Sequence, residues 1–307
     1  MSDYIIAIDG GGTKTLSMLY DTSGKALGGV ETGYSNFSID VEVAKKNLEE
    51  AIDRTIRRFA AKKPVRAIQA GIAGLSTLID RKGYEEELSA RFKAPVLLTT
   101  DALIALYAVK KDSQRNVIMV LGGTGSVVMA NEDQDVHMIG GYGHLLGDEG
   151  SGYHLSIAAL KRTITTIDAG SKPSDLERRI METIGAKSVE DIKSHVYNTD
   201  KSELARLART IAKIAKEGDR NAIDLLEAEG RHLGKQTLLA HAKLKNKANP
   251  IVALRGKFLL EAPFVKEALI AYVDRHLPAY ELDTDNEDPV IGAYYLCIEN
   301  MKRRIDQ

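Results

Sequence analysis

Two glycine turns with hydroxyl side chains are the parts of this chain best suited to bind a polyphosphate. In the first, the apolar residues 5–8 lead into Asp9, three glycines and residues 13–15, Thr-Lys-Thr. In the second, the apolar residues 117–121 lead into the Gly-Gly-Thr-Gly-Ser of residues 122–126. Glycine lets backbone N–H groups approach a phosphate closely, and the hydroxyls and the lysine add donors. The pair of turns predicts a clamp for one nucleotide.

Asp9 is unusual beside such a turn, because its carboxylate would repel a phosphate unless a cation lay between them. Asp9 therefore predicts Mg²⁺, held largely through water as this ion prefers. The alternative is an ordinary glycine-rich β-turn. A Walker P-loop is excluded, since the Gly-x4-Gly-Lys-[Ser/Thr] spacing is not matched, and the strand pattern after Thr15 disfavours a dinucleotide fingerprint.

Asp101 is the first candidate for chemistry on an acceptor hydroxyl. It follows a short predicted strand, residues 96–99, and opens a predicted helix. Phosphoryl transfer to a hydroxyl needs a carboxylate that accepts the proton, so Asp101 could be a general base. It could equally be the N-cap of helix 102–109, a role that aspartate performs well.

Residues 140–152 hold six glycines together with Asp148 and Glu149. Carboxylates fixed beside bare backbone suit the closely spaced hydroxyls of a sugar, and so many glycines in a loop are costly in conformational entropy. The alternative is a plain loop with an acidic helix N-terminus, which the helix dipole favours. Asn36, after the third predicted strand, could bond a ligand or stabilise a turn, and His144 is expected to be structural.

The elements that would position these residues follow the same order twice. Hydrophobic patterning predicts three strands, a helix capped by Asp40, and then strand, helix and strand, which gives βββαβαβ. A similar order restarts near Asn116, with the second glycine turn again in the first hairpin. Residues 161–249 are predicted to be helical, and Pro289 begins a last helix.

Composition narrows the function class. At ~100–200 residues per domain, 307 residues predict two domains. The 42 basic and 43 acidic residues nearly cancel, so no nucleic-acid footprint is expected. Cys297 is the only cysteine, which excludes an internal disulfide and cysteine-based metal sites within one chain. No basic-flanked apolar leader and no apolar run of ~20 residues occurs, so we expect a cytoplasmic protein without a membrane segment.

The order and spacing of these motifs resemble the BadF/BadG/BcrA/BcrD ATPase family of the actin/hexokinase/Hsp70-like superfamily, and within it the N-acetylglucosamine kinases. The matching parts are Asp9-Gly-Gly-Gly-Thr-Lys-Thr, Thr100-Asp101-Ala102, Gly123-Thr124-Gly125-Ser126 and residues 141–153. The resemblance implies two RNase H-like (actin/hexokinase-type) α/β domains with a cleft between them. Their expected bounds are 1–110 with helix 288–307, and 111–287 with a helical insertion at 161–249.

The resemblance also implies an ATP-dependent kinase that uses Mg²⁺ at Asp9 and phosphorylates the 6-hydroxyl of N-acetylglucosamine, N-acetylmuramic acid or glucosamine, with Asp101 as base. A homodimer is expected. The implied nucleotide-binding residues are Gly11, Gly12, Thr13, Lys14, Thr15, Gly123, Thr124, Gly125, Ser126 and Gly256. The expected sugar-binding residues are Asn36, Thr124, Gly141, Tyr142, Asp148 and Glu149.

Three departures from the family pattern and two rival functions remain. Leu254-Arg255-Gly256-Lys257 replaces two adjacent glycines or Gly-Ser, Val127 replaces an asparagine, and Ala73-Gly74-Leu75-Ser76 replaces a Gly-Gly-Asp. One rival is an ATPase activator of 2-hydroxyacyl-CoA dehydratases, which bridges an iron–sulfur cluster with two cysteines per chain. The other is a sugar sensor without catalysis.

Overall fold

The computed structural model describes residues 3–60, 64–132, 135–285 and 287–305. They form two compact units, one of Met1–Gln114 with Asn286–Gln307 and one of Arg115–Asp285. Within the described part of the chain, no helix has both the length and the apolar character that crossing a bilayer requires.

The first unit begins with three strands and alternates strands with helices thereafter. Its elements are β1 (Tyr4–Gly10), β2 (Thr15–Asp21), β3 (Ala26–Thr32), α1 (Val41–Phe59), β4 (Val65–Ile72), α2 (Arg81–Phe92), β5 (Val96–Thr100) and α3 (Asp101–Lys110). Asp40 caps α1 as expected, since its side chain accepts from the N–H groups of Glu42 and Val43.

The second unit repeats the three strands and then adds a group of helices. Its elements are β6 (Val117–Gly122), β7 (Ser126–Glu132), β8 (Asp135–Gly140), α4 (Gly152–Asp168), α5 (Asp175–Ile184), α6 (Val189–Asn198), α7 (Lys201–Ala205), α8 (Leu207–Lys216), α9 (Arg220–Lys243), β9 (Ile251–Arg255), α10 (Lys257–Glu261), α11 (Val265–Asp274) and β10 (Glu281–Asp283). The final helix α12 (Val290–Ile305) belongs to the first unit.

Both units contain a five-stranded sheet of the same topology. The orders are β3-β2-β1-β4-β5 and β8-β7-β6-β9-β10. In each sheet the first three strands pair antiparallel, whereas the last two join in parallel. The predicted βββαβαβ order of two actin/hexokinase-type domains is therefore confirmed.

The central strands β1 and β6 are apolar because both of their faces are covered. Ile5 and Ile6, whose side chains point to opposite faces, are fully buried, and so are Ile118 and Met119 in β6. A strand covered on both sides has an almost continuous apolar sequence instead of an alternating one. Each glycine turn therefore follows the central strand of its sheet.

Candidate functional site

The first glycine loop joins β1 to β2 and exposes its tip. The N–H of Gly11 donates to the carbonyl of Lys14 over 3.0 Å, which closes the turn, and Gly12 and Thr13 are exposed. The N–H of Ser35 donates to the carbonyl of Gly11 over 3.1 Å and ties the loop to the segment after β3. The loop therefore offers backbone and hydroxyl donors on a fixed support.

Thr15 lies beneath this loop instead of at its tip. Its side chain is fully buried, and its hydroxyl donates to the carbonyl of Gly33 over 2.7 Å and lies 2.5 Å from the hydroxyl of Ser35. Both of its partners are protein groups, and the contact of Thr15 with a phosphate stays a prediction. Thr15 supports the loop.

Lys14 is the exposed cation of the first loop. Its ammonium lies 2.7 Å from the carboxylate of Glu31, and both side chains are more than half exposed. The hydrogen bond to Glu31 raises the pKa of Lys14, so the side chain stays charged. An exposed pair of this kind contributes little stability, so the ammonium can move to a phosphate at small cost.

Asp9 lies one residue before the end of β1, in a negative environment. Its pKa is raised to about 6, first by burial and then by the nearby carboxylates of Asp288 and Asp101, in that order. Asp288 lies at the start of α12, where its carboxylate accepts from the N–H of Val290 over 3.3 Å. The sequence predictions missed Asp288, and the only signal was its position before Pro289 at a helix start.

The donor set at Asp9 fits a cation held mostly through water. Among the described residues, no group of three or more histidine, cysteine, aspartate or glutamate side chains is close enough to enclose a metal ion. Mg²⁺ commonly binds through one or two carboxylates together with phosphate oxygens and water. A half-buried carboxylate with a raised pKa and two acidic neighbours suits that mode.

Asp101 is the first residue of α3, but it is not the N-cap. Thr100 has that role, since its hydroxyl accepts from the N–H of Leu103 over 3.2 Å. The Asp101 carboxylate is exposed and accepts from the N–H of Ala102 over 2.9 Å. The N-cap alternative is therefore wrong, and the carboxylate of Asp101 is accessible at the start of α3.

Asn36 stabilises a turn next to the first loop. Its side-chain oxygen accepts from the N–H of Ser38 over 2.8 Å. Its amide nitrogen would lie 3.7 Å from a Cβ added at Gly12, which places it beside the exposed tip of the loop. The turn-forming role is observed, and the sugar contact stays a prediction.

The second glycine loop joins β6 to β7 and is held against the start of α4. The N–H of Gly123 donates to the carbonyl of Gly125 over 2.8 Å, and the carbonyl of Gly123 accepts from the N–H of Gly152 over 2.9 Å. Thr124 is exposed, whereas Ser126 is buried and its hydroxyl donates to the carbonyl of Glu149 over 2.7 Å. Thr124 and the glycine backbone are the groups left to face a ligand.

Asp148 connects the second loop to α7. The residue is buried, and its carboxylate accepts from the N–H of Ser126 over 3.3 Å and lies 2.6 Å from the ammonium of Lys201. A Cβ added at Gly125 would lie 2.9 Å from a carboxylate oxygen of Asp148 and 2.9 Å from the ammonium of Lys201. Lys201 is a second residue that the sequence predictions missed, because it lies far along the chain at the start of a short helix.

The segment 140–150 adopts a backbone that only glycine tolerates well at several positions. Gly141, Gly143 and Gly150 have φ of 73°, 84° and 92°, and Asp148 itself has φ of 68°. Gly141 and Tyr142 are exposed and Glu149 is half-buried. The segment therefore presents backbone, an aromatic ring and one accessible carboxylate, while Asp148 points inward.

A cavity of about 550 Å³ lies within the second unit, beside the second loop. Gly123 and Thr124 border it together with α7, α8 and α10. Its basic lining residues are Arg206, Arg209, Lys213, Lys216 and Lys257, and its apolar side chains include Ala212 and Phe258. Such a volume suits a nucleoside-sized ligand, and the cations favour one that bears phosphate.

Gly256 lies at the start of α10, next to this cavity. Its φ is 96°, and a Cβ added there would meet the carbonyl oxygen of Gly122 at 2.4 Å. Gly256 therefore lets α10 approach the second loop closely. The next two residues, Lys257 and Phe258, border the cavity, whereas the contact of Gly256 itself with a nucleoside stays a prediction.

Known proteins resemble this chain over almost its entire length. The sequence model of the BadF/BadG/BcrA/BcrD ATPase family matches residues 6–296. An N-acetylmuramic acid/N-acetylglucosamine kinase from Clostridium acetobutylicum is 27% identical over 302 residues, covering 96% of this chain and 98% of that protein. An N-acetyl-D-glucosamine kinase from Dictyostelium discoideum is 24% identical over 327 residues, covering 98% of this chain and 99% of that protein.

A solved structure supports the fold independently. A protein from Chromobacterium violaceum, provisionally named an N-acetylglucosamine kinase, superposes with a TM-score of 0.64 at 24% identity, covering 96% of this chain and 98% of that one. This likeness bears on the fold, whereas the match to the family model bears on descent. Since that match extends from β1 into α12, the chain belongs to the BadF/BadG/BcrA/BcrD ATPase family.

Proposed function

We propose that this chain is an ATP-dependent kinase that phosphorylates the 6-hydroxyl of N-acetylglucosamine or a related amino sugar, N-acetylmuramic acid or glucosamine. The observation on which this proposal most depends is the exposed carboxylate of Asp101, which is not the N-cap of α3 and lies in the electrostatic environment of Asp9. A protein that only binds ATP and sugar needs no base at that position. The amino-sugar class is taken from the two kinases that share this chain's full length.

The two glycine loops would hold the phosphates of ATP. Gly12, Thr13 and Lys14 are exposed in the first loop and Thr124 is exposed in the second, whereas Gly11, Gly123 and Gly125 are half-buried and shape the two turns. The nucleoside would occupy the cavity beside Thr124, with the basic side chains of α8 near its charged groups. When bound, Mg²⁺ would be held at Asp9 and would neutralise charge on the phosphates.

Asp101 would act on the sugar. As the 6-oxygen of the sugar attacks the terminal phosphorus of ATP, the bond from that phosphorus to the bridging oxygen breaks and ADP leaves. Asp101 takes the proton from the 6-hydroxyl, so the products are the sugar 6-phosphate, ADP and a proton that is later released. The remaining sugar groups are proposed to bind to Glu149, Gly141, Tyr142, Asn36 and Thr124.

An ADP-release assay tests this function directly. The purified protein with ATP and Mg²⁺ would be offered N-acetylglucosamine, N-acetylmuramic acid, glucosamine, N-acetylmannosamine and glucose in turn. Turnover of one or two amino sugars supports the kinase and identifies its substrate. ATP binding without turnover of any of them would overturn the proposal and favour the activator or the sensor.

The activator function needs a cluster held by two cysteines per chain, and this chain has the single buried Cys297. A cytoplasmic location and a homodimer remain predictions. Light scattering during gel filtration would test the homodimer.

Mg²⁺ binding is predicted to depend on the titration of Asp9. Because the pKa of Asp9 is raised to about 6, the group is protonated below that pH and cannot hold a cation. The apparent affinity for Mg²⁺ in the presence of ADP is expected to rise as the pH increases through about 6 and then to level off. Calorimetric titration with Mg²⁺ between mildly acidic and mildly alkaline pH would measure this.

The matched variant Asp9→Asn should lose both the Mg²⁺ dependence and this pH profile. Because the pKa of Asp9 is higher in the folded protein, ionisation of Asp9 lowers the stability of the fold as the pH rises from the pKa of the unfolded chain toward about 6. The variant is therefore expected to melt at a higher temperature than the parent at neutral pH while being inactive. A variant that binds Mg²⁺ normally would remove Asp9 from the metal site.

A further inference from the structure

Helix α9 supports the glycine segment through one face. Glu229, Leu233 and Gln236 follow one another at helical spacing, and all three contact residues 140–150. Glu229 accepts from the N–H of Gly150 over 2.7 Å, and Gln236 donates to the carbonyl of Glu149 over 3.2 Å. Leu233 packs so closely that a Cβ added at Gly150 would meet it at 2.3 Å. Helix α9 therefore packs against the segment that contains Asp148 and Glu149 and hydrogen-bonds to its backbone.

Glu229 also joins this segment to the first turn of α4. Its carboxylate oxygens lie 2.9 and 3.0 Å from Nδ1 of His154. An ionised carboxylate has only acceptors, so Nδ1 of His154 is the donor. One buried side chain thus fixes both the backbone of Gly150 and the ring of a residue four positions later.

A charge at this depth needs a compensating charge. Glu229 is only 1% exposed, and a buried carboxylate without a partner is strongly unfavourable. His154 can supply a positive charge when it is protonated, and its side chain is about one-third exposed, so it exchanges protons with solvent. The other titratable groups that act on His154 are Glu149 and Lys161. His232 on α9 interacts with both members of the pair, and Lys235 acts on His232.

His232 does not compete with His154 for this role. Its ring lies 5.5 Å from that of His154 in an edge-on arrangement, and burial lowers its pKa. A neutral His232 beside a charged His154 is the arrangement that avoids repulsion between two imidazolium rings. The pair Glu229–His154 is thus the charged contact between α9, α4 and the glycine segment.

We propose that Glu229 and His154 are positioning residues that hold the backbone of the segment 147–150 in its sugar-binding conformation, and that this hold weakens when His154 loses its proton. The part of this proposal that concerns sugar affinity rests on the proposed kinase function. The part that concerns the conformation of the segment does not.

The direction of the pH effect follows from the contact. The hydrogen bond to Glu229 raises the pKa of His154, so the folded protein holds this proton more tightly than the unfolded chain does. The stabilisation from the Glu229–His154 contact is complete below the pKa that His154 has in the unfolded chain. It is lost as the pH rises through the raised pKa that His154 has in the folded protein. The sugar KM is therefore expected to increase roughly tenfold above the pKa of His154, while kcat changes little.

Two variants separate charge from hydrogen bonding. Glu229→Gln keeps an oxygen for the N–H of Gly150 but removes the charge, so the pKa of His154 should fall and the sugar KM should be high at every pH. His154→Asn supplies an uncharged donor near the position of Nδ1, so its KM should no longer vary with pH in this range. Glu227→Gln is the matched control, because Glu227 lies on the same helix in a more exposed pair with Arg231.

The experiment combines sugar kinetics against pH with proton NMR of the His154 ring and hydrogen exchange at the N–H of Gly150. Support requires that the His154 ring titrates above the ordinary histidine pKa in the parent but not in Glu229→Gln. The sugar KM of the parent must follow that titration. The N–H of Gly150 must exchange faster in Glu229→Gln than in the parent. A parent KM that is flat across the His154 titration would overturn the sugar part. A normal His154 pKa with unchanged exchange at Gly150 in Glu229→Gln would overturn the whole inference, whether or not any sugar is turned over.

Discussion

Asp101→Asn is expected to lower kcat for the amino sugar by ~100-fold or more, because a general base contributes typically 10²–10⁴-fold. The amide has nearly the same shape as the carboxylate and can still accept from the N–H of Ala102, so the start of α3 should stay intact. It cannot take the proton of the 6-hydroxyl. The sugar KM should change by less than about twofold, since the lost interaction belongs to the transition state.

Thr100→Ala is the control that separates catalysis from helix capping. The hydroxyl of Thr100 caps α3, and loss of such a cap costs about 1 kcal/mol of stability. Thr100→Ala should therefore melt earlier yet keep most of its kcat, whereas Asp101→Asn should melt near the parent and lose kcat. If Asp101→Asn kept near-normal turnover, Asp101 would not be the base.

Much of the fold was predictable because its determinants are local. The apolar runs that become β1 and β6, and the glycines that follow them, appear in the sequence in the order in which they act. Helix starts such as that of α1 have a polar cap just before an amphipathic stretch. Repetition of the same order in both halves then predicted two domains of one topology.

The missing parts of the site depend on distant residues. Asp288 acts on Asp9, Lys201 pairs with Asp148, and Glu229 holds the N–H of Gly150. Each partner is separated from its target by dozens to hundreds of residues, so no spacing rule connects them. Lys201 and Glu229 also lie on helices rich in charge, where a solvated face is the simplest interpretation of a charged side chain.

The direction of a side chain was the other unpredictable property. Thr15 and Ser126 belong to glycine loops whose composition predicts phosphate donors, but both hydroxyls point inward to protein carbonyls. A loop pattern predicts which backbone lies near a ligand. Which hydroxyls face the ligand depends on what packs underneath, and that is fixed only in the folded chain.

The pair of Asp148 and Lys201 leads to the second large prediction, an unequal effect of removing either partner. The Asp148 side chain is 4% exposed, whereas that of Lys201 is 31% exposed. Without Asp148, the ammonium can turn to water. Without Lys201, the carboxylate stays buried and unpaired, and breaking a buried pair in this way costs about 3–5 kcal/mol. Lys201→Met should therefore be far less stable than Asp148→Asn.

The substitution to asparagine keeps the backbone of Asp148 comfortable, because asparagine tolerates its φ of 68° better than alanine does. The amide oxygen can also still accept from the N–H of Ser126. Asp148→Asn should thus lose only about 1–2 kcal/mol of stability. If Asp148 contributes to sugar binding as the family resemblance implies, the sugar KM of this variant should nevertheless rise by about tenfold, the equivalent of ~1.4 kcal/mol.

Urea unfolding of the two single variants and of the double variant would test this asymmetry. The double variant should be more stable than Lys201→Met at neutral pH, since it contains no buried charge. Equal losses of stability in both single variants would mean that the carboxylate of Asp148 reaches solvent. An unchanged sugar KM in Asp148→Asn would mean that Asp148 only supports the second glycine loop.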